Sequence, residues 1–240
     1  MKAKLYRIHR LVSLVVFIPI VFWCLSGILH PVMANWFRIK PAQRLFVPAL
    51  HNTDTSRLTL KAVCEMNGLD SVQNVGITFL DDQEVYQLKQ ENTITYYNTA
   101  SGQIIENGDE AYAEHLARYY TGDFESRISS IEKLTAYTSA YKAINRHLPV
   151  YKVSFDNAQQ MDAYVHTETG ALGTLNDKYR KIYLWCFSVF HNWSFLGSNQ
   201  AVKSAAILLF SLLVFFNGCM GLYIYWVNRK AYKKQKKDNP

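Results

Sequence analysis

The chain has no Cys-x-x-Cys pair, and its four cysteines, Cys24, Cys64, Cys186 and Cys219, lie far apart. That speaks against the clustered thiolates of zinc and iron–sulfur sites. No pair in the central region reads as a structural bridge. No Gly-x-Ser-x-Gly, His-Glu-x-x-His or phosphate-binding glycine loop is present, so nothing points to hydrolysis. The acidic pairs Asp81-Asp82 and Asp109-Glu110 fall in an expected turn and at an expected helix start, where solvation or capping explains them. Charge is missing altogether from two long stretches, Leu11 to Leu29 and Ser204 to Val227.

Those uncharged stretches are apolar and long enough to cross a bilayer, which takes about 20 residues. The net charge of +7 gathers beside them. Lys2, Lys4, Arg7 and Arg10 precede the first, and Arg229, Lys230, Lys233, Lys234, Lys236 and Lys237 follow the second. Short basic flanks stay in the cytoplasm. The pattern therefore predicts a bacterial inner-membrane protein with both termini inside and a central domain outside. Topology and contact with anionic membrane lipid account for the basic tail, and no nucleic-acid partner is expected. The first apolar run exceeds the usual core of a cleaved signal peptide, and Trp36 and Phe37 suit interface anchors. It is read as an uncleaved anchor.

The expected organisation is a basic N-terminus over 1–10, a span over 11–33, an outer domain over 34–178, an aromatic interfacial helix over 179–197, a second span over 203–227 and a basic tail over 228–240. The segment around 180–196 is short for a span, and a third crossing would invert the charge rule. It is expected to lie on or dip into the outer leaflet.

The outer domain contains an internal repeat. Thr95-Tyr96-Tyr97-Asn98-Thr99-Ala100-Ser101-Gly102 aligns with Ala163-Tyr164-Val165-His166-Thr167-Glu168-Thr169-Gly170, and Val85-Tyr86-Gln87-Leu88 with Val150-Tyr151-Lys152-Val153. Each copy reads as two strands and a turn: Glu84–Gln90 with Thr93–Thr99, and Pro149–Phe155 with Met161–Thr167. Gly102 and Gly170 suit left-handed positions. A helix precedes each hairpin, over Thr59–Asn67 and Asp109–Tyr120. The repeats span about 58–105 and 109–175, giving an α+β extracytoplasmic domain on two transmembrane α-helices.

The second repeat, from Leu148-Pro149-Val150-Tyr151-Lys152-Val153 to Tyr164-Val165 and Gly170, resembles a PepSY module. The opening span resembles that of the PepSY-associated transmembrane family, through His9-Arg10, the apolar run and Phe22-Trp23-x-Leu25-Ser26-Gly27. Phe190-His191, and a last span with Gly218 and Gly221 before Tyr225-Trp226, complete the pattern. The family includes inner-membrane ferric-siderophore reductases similar to b-type cytochromes. The resemblance therefore implies haem b on membrane histidines, transmembrane electron transfer and a ferric siderophore as substrate. The better-known reductases have four spans, and this chain has two.

His9, His30 and His191 are the candidate haem-iron ligands, with Gly27 and Gly221 giving clearance. On one helix His9 and His30 would stand about 31 Å apart and differ by about 60° in direction. His30 and His191 would share an outer haem. His9 would take a partner from a homodimer mate or another membrane subunit. Asn217 is read as a bond to another helix and the Gly218/Gly221 pair as close packing. His51, His115, His147 and His166 are read as exposed surface histidines. The alternative function is a non-enzymatic, membrane-tethered PepSY binding or accessory module of a transport or regulatory complex.

Overall fold

The structure is a computed structural model that describes residues 2–47, 57–80, 83–91, 93–145 and 147–238. His51 and the Asp81-Asp82 pair lie outside the described residues. The chain forms two compact units, residues 1–38 with 182–240, and residues 39–181.

The first unit holds two helices long and apolar enough to cross a membrane. Helix α1 is Lys2–Asn35; its 34 residues extend about 51 Å. It contains Pro19 and Pro31 without interruption. The last helix of the chain, Gln200–Asp238, pairs with it in antiparallel sense. Tyr6 donates to Asn228 Oδ1 at 2.6 Å, Asn217 donates to Ser13 Oγ at 3.0 Å, and the Trp23 ring meets Phe210 edge-on at 5.5 Å. The Asn217 bond is the interhelical amide contact its mid-span position predicts.

The second unit carries the repeat. Helix α2 (Leu60–Met66) is capped by Thr59, whose side chain accepts from the Ala62 N–H, and the chain leaves it through Gly68 at φ +63°. Strands β1 (Asn74–Leu80), β2 (Gln83–Gln90), β3 (Thr93–Asn98) and β4 (Ile104–Ile105) follow as one antiparallel meander. Helix α3 (Gly108–Thr121) opens the second copy, followed by β5 (Ile128–Leu134), β6 (Val150–Phe155), β7 (Asp162–His166) and β8 (Ala171–Asn176) in the same order. The expected hairpins are β2–β3 and β6–β7. Each is flanked by two strands that the sequence reading left out.

Strand alternation assigns the faces. Tyr86, Leu88 and Tyr97 point to α2 and cluster with Val63. Their repeat counterparts Tyr151, Val153 and Val165 point to α3 and cluster with Ala113, Leu116 and Ala117. Helix α3 also covers Val85 and Tyr96 on the opposite face of the first sheet, so both sheets share one core around it. Tyr141 covers the outer face of the second sheet, stacked on Tyr164 at 5.0 Å. Burial raises the phenols of Tyr141 and Tyr164, each to about 12.

The first turn of α3 requires Gly108, because a Cβ there would stand 2.8 Å from the Tyr96 Cβ. The helix ends at Gly122, at φ +70°, whose N–H bonds the Arg118 carbonyl. Ahead of α2, Phe46 packs edge-on against Tyr112 and Tyr119, and the Ala42 N–H bonds the Tyr120 carbonyl. Helix α4 (Lys178–Cys186) leads into a π-helical turn at Phe187–His191 and a 3-10 turn at Ser194–Leu196. The last helix, Gln200–Asp238, is α5.

Candidate functional site

The three membrane histidines stand in different surroundings. His9 lies on α1 with its Nδ1 3.0 Å from Ser13 Oγ, one turn further along. Ser13 also accepts from Asn217 of α5, so His9, Ser13 and Asn217 form a polar chain across the helix pair. The His9 ring fills the space left by Gly221: a Cβ there would stand 2.7 Å from His9 Nε2. The clearance expected for a cofactor is thus used by the histidine itself. A cavity of about 730 Å³ opens beside it, lined by Tyr6, Arg7, Arg10 and Ile224 among others.

His30, at the far end of α1, places its Nδ1 2.6 Å from the Tyr183 hydroxyl. His191 closes the π-helical turn, and its Nδ1 is 3.0 Å from Ser26 Oγ. Ser26 is buried and gives its one hydroxyl proton to the Trp23 carbonyl at 2.9 Å. With that proton engaged, Ser26 Oγ is placed to accept a hydrogen bond from His191 Nδ1. A π-turn inside a helix recurs at functional sites.

Beside the outer pair expected to share a haem, His30 and His191, lies Phe187, stacked on His191 at 4.4 Å and 5.8 Å from His30. Phe22 and Phe190 stack nearby at 4.5 Å. Gly27 and Gly218 face open space rather than a histidine. Trp23 was not singled out as a site residue beyond its place in the family motif. Its ring lies 6.1 Å from His191, and its buried Nε1 has no hydrogen-bond partner among the described residues.

In the second unit, three histidines differ from the surface role expected of them. His166 is buried, at 8% exposure. His147 is half-buried and stacks on it at 5.0 Å. His115 is half-buried between Phe46 and Tyr112. Asp109 is likewise more than a solvated helix start. Its Oδ1 accepts from Tyr96 at 3.1 Å, its Oδ2 accepts from Tyr151 at 2.8 Å, and Lys133 lies 3.6 Å away. Burial first, and then the Asp109 carboxylate, raise both phenols far above their ordinary 10. The only sequence signal for this network was the Tyr in each repeat at a strand position facing a helix. No group of three or more His, Cys, Asp or Glu among the described residues is placed to hold a metal ion.

No family model, no curated protein and no solved structure matches the chain.

Proposed function

We propose that this chain is an inner-membrane haem-b protein of the PepSY-associated kind, with both termini cytoplasmic and the two-sheet domain outside. The single observation that carries the reading is the contact of His191 Nδ1 with the buried Ser26 Oγ at 3.0 Å, while Ser26 bonds the Trp23 carbonyl. In that arrangement Nδ1 would carry the proton and Nε2 would be the ligating atom. Hydrogen bonds of this kind orient histidine ligands and raise their basicity. The bare Trp23 Nε1–H beside it suits a group that brings a hydrogen-bond acceptor.

These residues suit His191 as one axial ligand. His30 is the proposed second ligand, with Phe187 beside both rings. At His9 the partner ligand would come from a homodimer mate or a partner membrane subunit. A bound haem b supplies a one-electron carrier within the bilayer. A ferric siderophore is the proposed acceptor, since reduction weakens iron's hold on hard oxygen ligands.

The Phe187 stack supports a second reading. The histidines would then belong to an aromatic belt, and the chain would be a tethered accessory module. An absorption spectrum of the detergent-purified protein, oxidised and dithionite-reduced, separates the two. The haem reading expects sharp reduced α and β bands that disappear in His191→Ala. A colourless protein from haem-replete cells would leave the accessory module.

A further inference from the structure

The two sheets of the second unit are joined by a polar seam whose centre is titratable. Lys89 on β2 pairs with Glu168, in the turn after β7, at 2.7 Å. Beside it Gln87 of β2 donates to the Thr167 carbonyl at 2.9 Å and to Tyr96 Oη at 2.6 Å. The Lys89–Glu168 and Gln87–Thr167 contacts hold the first repeat to the second, and the Gln87–Tyr96 bond fixes Gln87 within the first. His166 ends β7 directly next to them, its Nδ1 2.7 Å from Thr169 Oγ1 and its ring stacked on His147. A cavity of about 40 Å³ lies at this point, lined by Lys89, Asp109, Lys133, Pro149, His166 and Glu168, among others.

We propose that this seam is an acid-sensitive latch: neutral His166 permits the Lys89–Glu168 closure between the sheets, and its protonation loosens it. The charged and titratable groups facing His166 come from every neighbouring element. They are Lys89 from β2, Asp109 from α3, Lys133 from β5, His147 from the segment before β6 and Glu168 from the turn after β7. Burial is the largest influence and lowers the His166 pKa below its ordinary 6.5; His147 and Lys89 push the same way, while Glu168 and Asp109 oppose them. The folded state therefore favours the neutral ring. Its contribution is complete above the unfolded value and is lost as pH falls below about 6.5 through the folded value. Glu168 is held low chiefly by its bond from Lys89, so its own contribution is lost only below the ordinary 4.5. The His166 effect therefore sets in at a higher pH than that of Glu168.

Hydrogen exchange of the full chain in detergent tests this at pH 7.5 and 5.5, after correction for intrinsic rates. Peptides covering 83–91 and 162–176 should exchange about three-fold faster or more at pH 5.5, with those covering α2 unchanged. His166→Gln should remove the acid effect, and His147→Gln should shrink it by removing a repelling neighbour. Equal acid sensitivity in the wild type and both variants would overturn the latch. So would an acid effect spread evenly over the domain. If His166→Gln fails to fold, His147→Gln decides by the same criterion.

Discussion

The Tyr151 hydroxyl, on the second sheet, donates to Asp109 Oδ2 at 2.8 Å, and Tyr96 of the first sheet reaches Oδ1 of the same carboxylate. One side chain in the first turn of α3 thus satisfies a buried phenol from each repeat. Asp109→Ala would leave both phenols unpaired. A loss of about 2–4 kcal/mol is expected, since each buried orphaned polar group costs about 1–3 kcal/mol. Asp109→Asn keeps an acceptor and should cost less. Chemical denaturation of the purified protein measures both.

Gly108→Ala should destabilise the domain although alanine is the better helix former. A Cβ at this position would stand 2.8 Å from the Tyr96 Cβ, and neither backbone can yield cheaply. Overpacking of this kind costs about 1–3 kcal/mol, which exceeds the helix-propensity gain of about 1 kcal/mol. Thermal unfolding of the variant beside the wild type checks the sign.

Asp123 gives a prediction at low pH. Burial alone would raise its carboxyl, but hydrogen bonds from Asn157, Ser126 and the Glu125 N–H outweigh it and hold the group at about 2. Its folded value lies below its ordinary 3.8, so its contribution is present above 3.8 and is lost as pH falls towards about 2. Asp123→Asn should therefore show a shallower fall in stability across that window. Parallel slopes in denaturant titrations at several pH values would show the hydrogen bonds to be without consequence.

Ser26→Ala addresses the proposed haem ligand without touching it. The variant removes the Ser26 Oγ contact to His191 Nδ1, 3.0 Å long. Loss of such a supporting contact costs about 10–100-fold in affinity at comparable sites. Haem retention should fall and the reduction potential should shift, while the far-ultraviolet spectrum stays that of the wild type. Unchanged retention and potential would remove the tautomer argument.

The proposed topology makes Ser198 accessible from outside. In a variant whose four cysteines are replaced, Ser198→Cys should react in intact cells with a maleimide that cannot cross membranes. Gln235→Cys, towards the end of α5, should react only after lysis. The reverse pattern would invert the topology.

Much of the fold could be read from local pattern. The two spans followed from uncharged apolar runs, and α2, α3 and both central hairpins from periodicity and turn glycines. Gly102 and Gly170 do adopt positive φ, at +72° and +66°. Strands β1, β4, β5 and β8 were missed. In β5 alternation is broken at Ser129-Ser130, where the ladder register shifts; β4 is only Ile104–Ile105; and β1 alternates, but leaves Val75 and Ile77 exposed. Ladder pairing made them strands, and no local signal reports a partner strand.

The two helices long and apolar enough to cross a membrane, the repeat and the residue types available for chemistry are legible in the chain, because hydrophobic run length and side-chain period are local properties. Where those residues meet is a matter of tertiary packing. It set Phe187 beside both His30 and His191, placed His9 in the notch of Gly221, buried His166 at the seam and gave Asp109 two tyrosines. Each of these depends on side chains distant in the chain converging, and the packing of helices and sheets decides that convergence.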